Sequence, residues 1–559
     1  MSDIRFLPLG GQDERNKNCY IIKIDDDIFI FDCGVKMPVN VKYGISTITP
    51  DFNVLKKDAN KIKGVFIGYP THSNYGGIIH LLDKIGYDVP IYCPHIGKII
   101  IETFLEKRYW SHNRKFNLKF NIVEPFSPII LNKTEIVPFS ISNSVPGSLG
   151  WIIKTQNGCI VFIDDFIISN DRSRIFQSQL NKIDHIVRNN VLALIPGMGI
   201  VDRNKGFTSP NYKNIDFYQK VVANAKGRIF VACVDSDVNT IINLANIAKN
   251  SGRPFSIYSN TFMNVFSNIV KQKLINIKGL QCLQISDINN SNNAIVIISS
   301  NQEQLFKNLL SATNKQNSNI IFNNTDTFVL GTQIVPGYEG LATDLLDQLS
   351  KIDLDIAVLP KMVLPMSASA EDQKFLLDKL SPRYVFPIQG LYKSFVKYRE
   401  ASAQTWTKPD QVIFLDNGEE ACIENGNLNK KYNNIKLQEC SINQAGFDDS
   451  SSSIIYEREK LSEAGTIAIT IFFNKEKQMF IDKINYQVFG IVSNTYKNNE
   501  AISEIINCFK KSLPNCFVPN KKNIIDHKSS KKMMKKMVMK LFEKSFDKRP
   551  VVLITIIEC

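Results

Sequence analysis

Six histidines and one pair of adjacent aspartates are the groups in this 559-residue chain best suited to metal or acid–base chemistry. The histidines are His72, His80, His95, His112, His185 and His527, and the aspartates are Asp164 and Asp165. Zinc sites use four protein ligands when structural and about three when catalytic, drawn from imidazole, thiolate and carboxylate. His72 lies in the loop text Gly68-Tyr69-Pro70-Thr71-His72-Ser73-Asn74-Tyr75, and no second histidine falls within ligand spacing of it. It therefore reads first as a loop histidine and only second as a displaced ligand. His80 falls on a helical stretch and reads as a helix-face residue. Asp164 and Asp165 are oxygen donors of the kind a divalent ion accepts, and equally the acceptors that loop amides use. Asp32 follows a strand and reads as a brace for a loop. The eleven cysteines, from Cys19 to Cys559, contain no C-x-x-C pair. That pattern predicts reduced, mostly buried thiols, and no zinc or disulfide framework.

Phosphate-binding chemistry would come from cations. Lys531–Lys548 (KKMMKKMVMKLFEKSFDK) repeats apolar pairs every four residues, at Met533/Met534, Met537/Val538 and Leu541/Phe542. Lys532, Lys536, Lys540, Lys544 and Lys548 form another stripe, so the segment predicts an amphipathic helix with a cationic face. Such a face can track phosphates or simply be solvated. Arg108, His112, Arg114, Lys115 and Lys119 form a second basic cluster with the same two readings. The net charge of +13 is compatible with a polyanionic partner.

The elements that must position these groups fall into three rhythms. From Ile4 to about Lys205, strands are expected at Ile4–Leu9, Tyr20–Ile24, Ile28–Phe31 and Gly64–Ile67, and helices at Ile78–Ile85 and from Ile96. Trp151–Thr155 and Ile160–Ile163 make a hairpin across Gln156-Asn157-Gly158. From about Gly206 to Pro360, strands and helices alternate regularly, which predicts a parallel wound sheet. A strand at Tyr384–Ile388, a polar linker at Gln438–Ser453 and a small α/β domain over the last hundred residues complete the chain. The composition, 44% apolar and 22% charged, excludes wholesale disorder, collagen and a small disulfide scaffold. No apolar run reaches the roughly 18 residues needed to span a bilayer. The start, MSDIRFLPLGG, shows no secretory signal pattern, so a soluble, cytoplasmic protein is expected.

The segments IRFLPLGGQDERNKNCYII, IFIFDCGVKMP, NSVPGSLG, GRIFVAC, VPGYEG, SAEDQKFLLDKLSPRYVFPIQGLY and KRPVVLITIIEC, in this order and spacing, resemble the bacterial ribonuclease J family. The resemblance runs over nearly the whole chain. It implies an α/β fold: a metallo-β-lactamase αββα sandwich with an inserted β-CASP α/β domain and a small α/β C-terminal domain. The expected parts are residues 1–205 and 361–455 for the sandwich and linker, 206–360 for the β-CASP domain, and 456–559 for a C-terminal oligomerisation domain. It also implies RNA as substrate, in messenger turnover and ribosomal RNA maturation.

A nuclease of this fold needs two divalent ions that activate hydroxide and hold the scissile phosphate. The family's H-x-H-x-D-H ligand positions fall here on Tyr69, Thr71, Ser73 and Asn74. Its later ligands fall on Asn143, Asp165 and Gln389, so Asp165 alone keeps a ligand-type residue. Its phosphate-side H-x-S-G-H stretch falls on Val363–Ser367, and its G-S-Q-G-E motif on Ser299–Glu303. The expectation is a catalytically silent or weak, RNA-binding subunit with no cofactor. Its partners would be RNA and an active ribonuclease J paralogue or itself, as a dimer or tetramer, with no membrane. The alternative is an active 5′-to-3′ exonuclease and endonuclease holding two zinc or manganese ions at an altered site of Asp165, Asp164 and His72. Ser367, Ser369, Arg108, Arg114 and Lys115 are the candidate substrate-binding residues, and Tyr69 either plugs the cleft or stacks on a base.

Overall fold

The computed structural model describes residues 3–37, 45–110, 116–168, 177–208, 211–335, 337–360, 367–429, 432–443, 452–474, 479–493, 495–516, 518 and 526–559. The chain divides near residue 446 into two compact units.

Period-2 burial builds the first unit. In the strand Asp27–Phe31, Phe29 and Phe31 enter one apolar cluster while Ile28 and Ile30 enter another. A strand buried on both faces reads as a continuous apolar run, which is how IFIF looks in sequence. Its sheet also holds Asp3–Gly10, Cys19–Ile24, Ile62–Phe66, Ile91–Cys93 and Glu419–Glu424, the last added beside the first strand from far along the chain. A second sheet orders Tyr384–Val385, Val191–Pro196, Gly158–Ile163, Leu149–Thr155, Thr134–Ser140 and Ile129–Leu131. Aromatic rings fill the space between the sheets: Phe31 meets Phe162 at 4.9 Å between centroids and Phe66 meets Trp151 at 5.3 Å. Helices Ile78–Ile85 and His95–Trp110 pack outside the first sheet, and Ala370–Leu380 and Tyr392–Ser402 outside the second. The result is helix, sheet, sheet, helix, as expected.

Residues 226–358 form a separate layer. Five parallel strands stand in the order Phe255–Tyr258, Ile295–Ser300, Ile229–Val234, Thr327–Leu330, Asp355–Val358, with helices between them in sequence. Arg228, at the start of the central strand, grips Asp326 with two bonds of 3.0 and 2.6 Å, both side chains being buried.

The second unit is a three-stranded sheet of Met479–Phe489, Thr466–Asn474 and Val551–Glu558, packed with helices Tyr496–Ser512 and His527–Phe546. Of the paired apolar positions in the lysine-rich helix, Met534, Val538 and Phe542 are buried, and Met533 is 47% exposed.

Two expectations are corrected. The expected strand Tyr384–Ile388 is regular only over Tyr384–Val385; Phe386 N and Ile388 N still donate to the Leu194 and Pro196 carbonyls, and the chain turns away at Gln389, φ +63°. The expected linker Gln438–Ser453 contains the strand Cys440–Asn443 and the start of a helix at Ser452; Asp448–Ser451 lie outside the described residues. No disulfide joins the cysteines, seven of which are buried. Among the described residues, no helix is long and apolar enough to cross a membrane.

Candidate functional site

The carboxyl ends of strands from both sheets of the sandwich converge at one end of it. Asp32 follows Asp27–Phe31, the short helix His72–Tyr75 follows Ile62–Phe66, and Asp164 and Asp165 follow Gly158–Ile163. Gly197 follows Val191–Pro196 and bridges to Ile388, which sets Gln389 beside the same point. The Gly197 residue is required there: a Cβ at this position would lie 2.8 Å from Gln389 Oε1.

At the centre stands an amide. Asn74 Nδ2 donates to Asp32 Oδ2 at 2.8 Å and to Asp164 Oδ1 at 3.1 Å. Asn74 Oδ1 accepts from Thr71 Oγ1 at 2.8 Å and Asn18 Nδ2 at 3.3 Å. Gln389 Nε2 donates to Asp164 Oδ1 from the other side. Asp32 and Asp164 are 0% exposed. Burial, then the neighbouring Asp164 charge, pushes the Asp32 carboxyl well above the carboxylate range. Burial pushes Asp164 up to about 6, held lower by its bonds to Asp32, Gln389 and Asn74. Of these two neighbouring buried carboxyl groups, Asp32 has its proton affinity raised the more strongly.

Asp165 binds different elements. Ser367 Oγ donates to its Oδ2, and Ala368 N donates to Oδ1 at 2.9 Å. Burial pushes this carboxyl up to about 7 against those bonds. Asn143 Nδ2 donates to the Asp165 carbonyl at 3.1 Å, and Asn143 Oδ1 accepts from Val145 N at 3.0 Å.

His72 lines the cleft above, with its ring against Tyr75 at 5.1 Å and edge-on to Phe104 at 5.0 Å. Ser73 Oγ donates to Asn16 Oδ1 at 2.7 Å. Ser144 Oγ donates to the Ser236 carbonyl at 2.9 Å, which makes Tyr69 the donor in the 2.6 Å bond between Tyr69 Oη and Ser144 Oγ. Tyr69 lines both a cleft of about 440 Å³ over Asn74 and Asp165 and a second cavity of about 340 Å³ reaching the ends of the five parallel strands. There Asn301 caps the helix Gln302–Thr313 and Gln302 Oε1 accepts from Val335 N at 2.8 Å.

These donors do not fit a two-metal centre. Asp32 Oδ2 and Asp164 Oδ1 are taken up by amide N–H groups, and only Asp32 Oδ1 and Asp164 Oδ2 are left without a hydrogen-bond donor. Among the described residues, no group of three or more His, Cys, Asp or Glu side chains is placed to hold a metal.

Ser367 lines the cleft, but Ser369 does not: it is 0% exposed and caps the helix Ala370–Leu380, donating to Asp372 Oδ2 at 2.7 Å. Arg114 and Lys115, His112, and Val363–Met366 lie outside the described residues, as does the side chain of Arg108. Lys119, the described end of that basic cluster, pairs with Asp88 at 2.6 Å. Sequence reasoning missed Asn18, Arg15 and Arg203 in this cleft; the polar run Asp13–Asn18 between two strands was the available signal.

Sandwich, inserted five-stranded layer and small terminal unit define the architecture of metallo-β-lactamase/β-CASP proteins. Family models described as "Ribonuclease J, beta-CASP domain" and "Ribonuclease J C-terminal domain" match residues 226–349 and 453–559. The chain is 37% identical to the uncharacterized protein MG423 of Mycoplasma genitalium, with 100% of both covered. It is 36% identical to the MG423 homolog of Mycoplasma pneumoniae, covering 88% of this chain and 87% of that one. A separate protein of the same Mycoplasma pneumoniae strain, ribonuclease J, is 26% identical over 85% of this chain and 83% of its own. This chain belongs to the ribonuclease J family.

Proposed function

We propose that this chain is an RNA-binding, catalytically silent or weak ribonuclease J-type subunit of cytoplasmic RNA processing and decay, acting in messenger turnover and ribosomal RNA maturation beside an active ribonuclease J. The observation that carries the reading is the pair of amides, from Asn74 and Gln389, that hold Asp164. Hydrolysis of a phosphodiester needs charge neutralised at both the attacking and leaving oxygens, which two metal ions supply. An uncharged amide supplies neither that charge nor an activated hydroxide. Ser367 and Ala368 likewise engage Asp165 as an acceptor of hydrogen bonds.

Two observations support a partner. One Mycoplasma pneumoniae strain carries both a protein like this one and a distinct ribonuclease J. In the second unit, Phe489, Leu553 and Ile557 are 80%, 52% and 41% exposed, an apolar surface suited to association.

The test is a labelled single-stranded RNA incubated with the purified chain and Mn²⁺, Zn²⁺ or Mg²⁺. The reading expects binding without cleavage, and co-purification with a co-expressed active paralogue. Cleavage that disappears in Asp165→Ala would establish the alternative, a working nuclease built around His72, Asp164 and Asp165.

A further inference from the structure

Every residue of the loop Asp13–Lys17 except Arg15 is held by a side-chain bond. Asp13 Oδ1 accepts from Tyr392 N at 2.8 Å. Glu14 is buried and accepts from Gly11 N at 3.1 Å, Asn417 Nδ2 at 3.0 Å and Lys17 Nζ at 3.1 Å. Lys17, also buried, reaches Glu439 at 2.5 Å. Asp13, Asn16 and Lys17 take left-handed backbone angles, φ +48°, +68° and +58°, that cost energy in residues with a Cβ. The loop is thereby fixed in a shape that sends Arg15 into the cleft over Asn74.

Arg15 is half-buried and has no hydrogen-bond or ion-pair partner among the described residues. Arg203 lines the same cleft from the loop after Val191–Pro196, tied only through a 3.3 Å bond to Gln333 Oε1. Both guanidiniums line one cleft, where burial and then the Arg203 charge weaken the proton affinity of Arg15 and the Asp202 carboxylate strengthens it. Asp202 itself is engaged by Lys393 at 3.4 Å. Arg15 thus faces the cleft beside a second cation without a hydrogen-bonded or ion-paired anion of its own among the described residues. Guanidinium is suited to phosphate, with planar donors that bind two oxygens at once.

We propose that Arg15 and Arg203 form a clamp for a backbone phosphate of single-stranded RNA at the mouth of this cleft. The assignment rests on the RNA-binding reading above and adds its anchor. The clamp needs no metal: it positions the chain while Asn74 and Gln389 occupy the floor.

The test is fluorescence anisotropy of a labelled single-stranded RNA against wild type, Arg15→Ala, Arg203→Ala and the double variant, across a salt series. Each phosphate contact on a single strand contributes about 0.7 to the log–log salt slope. The double variant is expected to lose about 0.7 from the slope, the share of the one phosphate held, and roughly tenfold in affinity per arginine. Lys278→Ala, an exposed lysine removed from the cleft lining, is expected to match wild type. Arg15→Glu provides a second variant, expected to weaken binding further, and circular dichroism melts confirm that each variant folds. If wild type binds RNA and the double variant binds it equally, or Lys278→Ala loses as much, the clamp is overturned and RNA binding stands. If wild type binds no RNA, the RNA-binding reading and the clamp fall together. If inorganic phosphate displaces the RNA at equal concentration, the ligand is a free phosphate compound and the RNA assignment is overturned.

Discussion

Asn74 holds two buried carboxyl groups with a single amide, and its removal leaves both without that donor. Buried acceptors that lose a partner cost about 1–3 kcal/mol each. Asn74→Ala is therefore expected to lower unfolding stability by about 3 kcal/mol, read as a fall in urea midpoint at unchanged slope. A loss under about 0.5 kcal/mol, the size of an ordinary surface change, would show that the amide does not organise the site. A pH effect belongs at the same scale. Asp164 and Asp165 titrate at about 6 and about 7 in the fold, above the usual carboxylate value of 3.8. Between these values the folded state holds protons the unfolded chain has released, so stability from these groups is full near pH 4 and falls as pH rises toward 7. Asp165→Asn is expected to flatten that fall, visible as a stability difference from wild type that grows between pH 4 and pH 7 in parallel urea titrations. A difference constant with pH would contradict the raised affinity. In the sequence, the resemblance sets Tyr69, Thr71, Ser73 and Asn74, all poor zinc ligands, at the family's ligand positions. Their new partners were not legible there, because Asn74, Asp164 and Gln389 come from separate loops whose side-chain directions are fixed only by packing.

Among elements, the helix His527–Phe546 shows what periodicity resolves. The four-residue repeat gave pairs of apolar residues without saying which member faces inward. Burial picks Met534, Val538 and Phe542. Phe542→Ala is expected to cost about 3–5 kcal/mol by leaving a cavity, and Met533→Ala less than about 0.5 kcal/mol. Equal effects in thermal melts would mean the helix is rotated from the position described. The unbroken apolar run Ile28–Phe31 was read to within one residue of the strand Asp27–Phe31. Met479–Phe489 was missed although Ile484, Tyr486 and Val488 alternate with Asn485 and Gln487 as in a half-buried strand; the adjacent charges Asp482 and Lys483 interrupt the pattern after Met479–Ile481. Arg15 was missed for a related reason: a polar run between strands looks like an ordinary turn until its anchors at Asp13, Glu14 and Lys17 are visible.

For the whole molecule, the order of matching segments made the family legible, and the architecture followed. What periodicity cannot supply is convergence: Asn18, Asp32, Asn74, Asp164 and Gln389 meet only because a sheet near the N-terminus faces one completed after the inserted layer. The chain belongs to the ribonuclease J family, and the proposed reading is that it binds RNA without a pair of metal ions. The most direct test is the metal content of the purified full chain, prepared without chelator, by elemental mass spectrometry. The account predicts a zinc plus manganese content near zero per chain. About two ions per chain, the number a two-metal hydrolysis requires, would contradict it.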